Sequence, residues 1–306
     1  MNKTPLIVAL AIASAFECRV VARTTDACGA SADAALRSCN LGAQSDYWLA
    51  SGKCANLARQ SDRRECQRDA SAEQQDALAA CDEQHDARLA ACRRLGGGPY
   101  DPEIDPQDFV RVIDNPYSPL RPGTTLIYEG QAADGFERDT FAVTHTTRVI
   151  DGVACVEVHD TVTHDDVLIE DTLDWFAQDR DGNVWYFGEN AKQLEDGLVV
   201  GTEGSWTAGV DGARPGIITR AHPARGDFYR QEFLLGTAED LGAVVSLTRS
   251  VTVPYGSFNA CVETEDTSPL DPASVEHKFY APGVGVVLEV DTNTGERLQL
   301  VRVVPE

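Results

Sequence analysis

A chain of 306 residues with 42% apolar side chains can bury a sizeable core, as one large domain or two smaller ones. Its formal charge of −23 is unevenly placed: residues 1–100 carry 12 basic and 12 acidic side chains, whereas residues 101–306 carry 14 and 37. Such a surface repels nucleic acid and anionic lipid, which excludes both as expected partners and leaves cations, basic partners or plain solubility.

The chain opens with MNKTPLIVALAIASAF, one early Lys followed by an apolar run over residues 6–16. That run is too short to cross a bilayer and reads as a secretory signal over 1–22. Cleavage after Val20-Val21-Ala22 removes Cys18 and leaves eight of nine cysteines, an even number suited to an oxidising compartment. Cleavage after Ala13-Ser14-Ala15 is the other option. A lipid anchor on Cys18 is a rival, but Glu17 stands where such an anchor expects a small residue. The expected location is periplasmic or extracellular, with no transmembrane segment.

Residues 23–98 change character to Ala, Arg, Asp, Gln and Cys, a palette of helix formers. The cysteines at 28, 39, 54, 66, 81 and 92 are spaced 11, 15, 12, 15 and 11, a palindrome centred on Gln60. A turn near residues 59–62, with Asp62 and Glu65 as a capping box, predicts a helical hairpin. Its rungs are Cys54–Cys66, Cys39–Cys81 and Cys28–Cys92. Eleven residues are about three helical turns and fifteen slightly over four, so each helix keeps its cysteines near one face. A ladder built on Cys66–Cys81 and Cys54–Cys92 also matches in length, but it requires a bend between Cys28 and Cys39. Such a hairpin fits a spacer, a cap or an oligomerisation element.

Residues 99–108 form an acidic, Pro-containing linker, and 109–306 read as an acidic antiparallel β-domain. Asp181-Gly182, between two aromatic runs, is a strong hairpin signal. A two-residue loop there pairs Phe176 with Phe187 and Asp174 with Glu189. Loops at Asp151-Gly152 and Asp165-Asp166 pair Arg148 with Cys155 and Glu157 with Asp174. One face then reads Phe141, Val143, Val149, Val156, Val158, Val162, Ile169, Leu173, Trp175, Ala177, Val184 and Tyr186, a core face, with His145 beside it. The other carries Glu157, His159, Asp174, Phe176, Trp185, Phe187 and Glu189. Cys155 and Cys261 remain as a fourth bridge, lying in matching Ala-Cys-Val-Glu strings, and that bridge brings Glu263 near Glu157. The fold class expected is mainly β: a curved sheet or partly open barrel behind a disulfide-stapled α-helical hairpin.

Three acids on neighbouring strands, Glu157, Asp174 and Glu189 with Glu263 nearby, cannot all ionise cheaply in a covered cleft. Either a cation such as calcium sits among them or one keeps its proton. A solvated stripe balanced by Arg148 is the plainer alternative. The string Asp179–Asn183, DRDGN, lacks the further ligands of a calcium loop and reads as the turn. Residues 204–217, rich in Gly with one Pro, suit a long ordered loop at the mouth of the sheet. No nucleotide, zinc-protease or serine-hydrolase motif occurs. No cofactor is expected beyond calcium as an option.

NPYSPLRPGTTLIYEG, DWFAQDRDGNVWYFGE, GSWTAGVDGARPGI, YRQE and EHKFYAPGVGVVLE together resemble a family of exported bacterial proteins of unknown function, over about 115–290. The resemblance implies export and a single β-domain, and carries over no catalytic residue. The function expected is non-catalytic binding of a small molecule, lipid or cation on the concave face. The alternatives are a carboxylate-based hydrolase or lyase using Tyr186, Tyr229 or Tyr280, and a surface component assembled through the hairpin.

Overall fold

The protein is described by a computed structural model covering residues 26–132 and 135–306, so the expected signal segment lies outside the described residues. Helix α1 (Ala27–Ala55) and helix α2 (Gln60–Leu95) form the hairpin. Asp26 starts α1 by accepting the Gly29 amide at 2.8 Å. The second cap differs from expectation: Arg59 precedes α2 with no side-chain cap, and Asp62 instead accepts Arg59 Nε at 2.9 Å. All three rungs are as the spacing predicts, with Cα–Cα separations of 5.7, 5.8 and 5.5 Å from the open end to the turn. Gly42 and Gly52 do not interrupt α1. Among the described residues, no helix is long and apolar enough to cross a membrane.

Twelve main strands follow: β1 (Thr125–Ala132), β2 (Gly135–Ile150), β3 (Val153–His164), β4 (Val167–Asp179), β5 (Val184–Asn190), β6 (Arg214–Thr219), β7 (Phe228–Arg230), β8 (Leu241–Val253), β9 (Gly256–Ser268), β10 (Asp271–Ala281), β11 (Gly285–Asp291) and β12 (Arg297–Val304). With several short pieces they form one antiparallel sheet that closes almost fully. Strand β12 pairs with β1, joining the end of the domain to its beginning. At the other seam β6 pairs with β5 and with Glu232–Phe233, while β7, just upstream, pairs with β8. The stretch expected as a loop over 204–217 therefore runs into the closing strand β6, which takes its last four residues. Its Gly and Pro disguise it, yet Gly216 is required, because a Cβ there meets the Gln231 carbonyl carbon at 2.4 Å.

The predicted turns at Asp151-Gly152 and Asp165-Asp166 form, and all four residues take positive φ. The registers beyond them shift. Ile169 is an extra residue in β4, so Asp174 pairs with Val158 and Glu157 with Trp175, one place from the expected alignment. The Asp181-Gly182 turn holds three residues rather than two: Asp179 N donates to Asn183 O at 3.0 Å, and Gly182 has φ 90°. A bulge at Phe187 then restores the predicted Asp174–Glu189 pair, while Phe176 meets Tyr186 instead of Phe187. Because side-chain direction alternates residue by residue, each one-residue slip moves a strand segment to the opposite face. Val149 and Ile169 are exposed rather than core, and so is His145, which bonds Glu306.

The fourth bridge does not form. Cys155 and Cys261 are free, buried thiols in separate apolar clusters. Their strands, β3 and β9, do not neighbour one another in the sheet. Matching strand sequences therefore do not make these two strands partners.

The hairpin packs on the barrel through few but specific contacts. Arg88 forms a buried pair with Glu239 at 2.8 Å, Gln84 Nε2 donates to Leu270 O at 2.9 Å, and Arg94 lies 3.5 Å from the centre of the Phe228 ring.

Candidate functional site

Inside the barrel is a cavity of about 310 Å³, within the size range of small-molecule sites. Seven carboxylates line it: Asp139, Asp160, Asp174, Glu189, Glu232, Asp240 and Glu289. Lys278 is the single basic residue among the described lining residues, and it stands 3.6 Å from both Glu289 and Glu276. Tyr128, Phe141, Phe176, Tyr186 and Tyr280 supply aromatic walls. Phe176 and Tyr186 stack at 4.8 Å and 15°, and Phe141 lies 6.4 Å from Phe176.

At the centre, Tyr186 Oη contacts two acids, Asp174 Oδ1 at 2.5 Å and Glu189 Oε2 at 3.1 Å. A phenol carries one proton. It can donate to one acid only, so the other acid must hold a proton and donate back. Burial, with each acid beside the other, pushes Glu189 up to about 8; burial, with Asp160 nearby, does the same to Asp174. The two acids therefore titrate as a unit around the tyrosine.

A second pair lies on β2 and β3. Burial raises Asp139 to about 7, and burial with Asp139 alongside raises Asp160 well above the usual carboxylate range. Glu232, Asp240 and Glu289 are also raised, first by burial. Lys278 goes the other way for a buried amine, held well above its usual value by Glu289.

Three expected site residues, Asp174, Glu189 and Phe176, line this cavity. The remaining five lie elsewhere. Glu157 accepts Trp175 Nε1 at 3.2 Å, under an Arg148 guanidinium 4.0 Å from the same indole. His159 pairs with Asp171 at 3.0 Å. Trp185 donates to Asp179 at 2.8 Å and, with Phe187, packs against Phe109 at the start of the β-domain. Glu263 bonds Arg249 and His277. Burial, which pushes it up, is outweighed by those two bonds, and its carboxyl sits below its ordinary value.

Asp139, Asp160, Glu232, Asp240, Lys278 and Glu289 were not anticipated. A signal for two of them existed: Asp139 is in phase with Phe141 and Val143, and Asp160 with Val158 and Val162, so each acid shares the parity of a core face. The stretches 115–130, 174–189, 229–232 and 276–289 converge here, through Pro119, Tyr128, Phe176, Glu189, Glu232 and Tyr280. Among the described residues, no three His, Cys, Asp or Glu side chains are grouped to hold a metal ion.

No protein-family model matches the chain, and no curated protein does. A solved structure of a candidate lipoprotein from Parabacteroides distasonis is similar at 14% identity, with a TM-score of 0.34, over 61% of this chain and 98% of its own.

Proposed function

We propose that the barrel is a non-catalytic binding protein, exported, whose interior takes a small organic cation with an apolar body. The observation that carries this reading is the excess of carboxylates over lysine beneath a stack of aromatic rings. Buried carboxyl groups without cations must hold protons. An ammonium group replaces such a proton and also gains from the ring faces of Phe176 and Tyr186. The apolar portion has Leu126, Phe141 and Ile218 to lie on. Calcium is the less favoured cation, since it asks for six to eight converging oxygen ligands and, among the described residues, no three of these acids are grouped to hold a metal ion. The three disulfides support maturation in an oxidising compartment. A two-carboxylate hydrolase fits less well, because the Tyr186 hydroxyl sits between the Asp174 and Glu189 carboxyls, where the scissile bond belongs.

Calorimetric titration of the full chain with n-hexylamine, hexan-1-ol, hexanoate and calcium chloride tests this. Hexylamine is expected to bind alone, and about tenfold more tightly at pH 8.5 than at pH 6.5, because it displaces the Glu189 proton. Equal binding of hexanol favours a lipid-type ligand, and heat from calcium alone favours the metal. Either result overturns the amine reading.

A further inference from the structure

A second cavity, of about 200 Å³, lies between the helical hairpin and the barrel. Two arginines and one carboxylate line it: Arg88, Arg230 and Glu239. Arg88 is satisfied, its Nε and Nη2 edge closed on Glu239 at 2.8–3.1 Å. That carboxylate also accepts the Gly236 amide, at 2.8 Å. Arg230 is different. It is 7% exposed, and among the described residues its Nε and Nη1 have no hydrogen-bond partner. Its Nη2 reaches only the Cys28 sulfur, at 4.0 Å. The guanidinium lies 4.4 Å from the Phe233 ring centre and 5.4 Å from that of Tyr100, contacts that soften a buried charge without neutralising it.

Leaving a buried guanidinium unpaired is costly, and its Nε–Nη2 edge, the kind that holds carboxylates in a two-bond fork, is engaged only by the weak 4.0 Å contact of Nη2 to the Cys28 sulfur. Two cations facing one anion leave a single positive charge. The other walls are mostly apolar, with Leu95 and the Cys28–Cys92 bridge from the hairpin and Phe233 and Leu235 from the barrel side; Ser31 and Tyr100 also line it. We propose that this cavity binds a small monocarboxylate, its two oxygens on Arg230 and its short apolar stem against Phe233 and Leu95. Inorganic phosphate suits the cavity less: it brings up to two charges where one is needed, toward a wall that includes Glu239. A bound carboxylate touches both the hairpin and the barrel, and so ties one to the other.

Sodium butyrate titrated into the full-length exported protein tests this, with inorganic phosphate and n-butylamine as comparison probes. Expected are saturable one-to-one heat with butyrate alone, loss of that heat in Arg230→Met, and about tenfold weaker binding in Arg230→Lys, which keeps the charge but not the fork. Asp174→Asn, in the barrel interior, is expected to leave butyrate binding unchanged, which separates this site from the amine site. If Arg230→Met fails to fold, the Arg230→Lys comparison decides alone. Absence of saturable heat in the wild type overturns the proposal, as do equal affinities in wild type and Arg230→Lys. Tighter binding of phosphate than of butyrate overturns the carboxylate assignment.

Discussion

The described hairpin buries only alanines, cysteines, Gly29 and Arg88, whereas the barrel fully buries Trp175, Phe187, Val158 and Leu300. Alanine removes little apolar area from water, so a helix pair of this composition gains little from packing. Its order rests on three covalent rungs, which constrain the unfolded chain. The barrel has the opposite composition of forces. Apolar clusters on several strands hold it together, and that surplus carries an interior of carboxyl groups that oppose folding whenever they ionise. One region is short of burial and linked covalently; the other is rich in burial and holds unfavourable charge at its site.

Reduction of the disulfides gives the largest expected effect and separates the regions most sharply. Each rung contributes roughly 2–4 kcal/mol, and less than the sum because the loops are nested. On reduction at 25 °C the helical ellipticity at 222 nm should fall, while the near-ultraviolet signal of Trp175, Trp185 and Trp206 persists. Simultaneous loss of both signals would show that the barrel depends on the hairpin, contrary to this contrast.

The Arg88–Glu239 pair is the next largest, and it lies where the regions meet. Both side chains are almost fully buried, 5% and 1% exposed. Arg88→Met leaves Glu239 buried without its hydrogen-bonded guanidinium and is expected to cost about 3–5 kcal/mol. Arg88→Met with Glu239→Leu should return most of that loss. Urea unfolding of the two variants measures it; a double variant as unstable as the single would mean that the pair itself, not the abandoned charge, holds the interface.

Legibility in the sequence follows the same division. In the hairpin, pairing depends on helical period and spacing, both local, and the palindrome centred on Gln60 was enough to select three rungs. In the barrel, the turns are local and were readable, but the bulges are not. Ile169 and Phe187 look like ordinary strand residues, and each shifts the faces beyond it. Asp174 and Glu189 still pair as expected because the longer turn and the Phe187 bulge offset each other, whereas Glu157 is carried to the opposite face. Closure of the ring, which brings β10 and β11 with Lys278 and Glu289 to the same cavity, is a long-range property with no local mark.

Titration gives the smallest expected effect and bears on the barrel interior. Glu189, ordinarily near 4.5, and Asp174, ordinarily near 3.8, are each raised to about 8, chiefly by burial. Between those limits the folded state holds protons that the unfolded chain releases, so folding takes up protons there and stability falls as pH rises. The contribution is fully present below about pH 4 and is lost on passing pH 8. Asp139, raised by burial to about 7, adds to the same trend. Glu263, held below its ordinary value, has the opposite sign, and its window lies below about pH 4.5, outside the range tested. Because Asp174 and Glu189 share Tyr186, they count as a pair rather than as two independent sites. Glu189→Gln supplies a neutral side chain that donates to Tyr186 at every pH. It should flatten the profile and leave the variant more stable than the wild type at pH 8.5, by an amount on the order of a few kcal/mol. Calorimetric melting between pH 5 and 8.5 checks this. A wild-type melting temperature that stays level across that range, or a variant that melts lower than the wild type at pH 8.5, would mean that Glu189 is ionised in the folded barrel and that the charge there is already balanced.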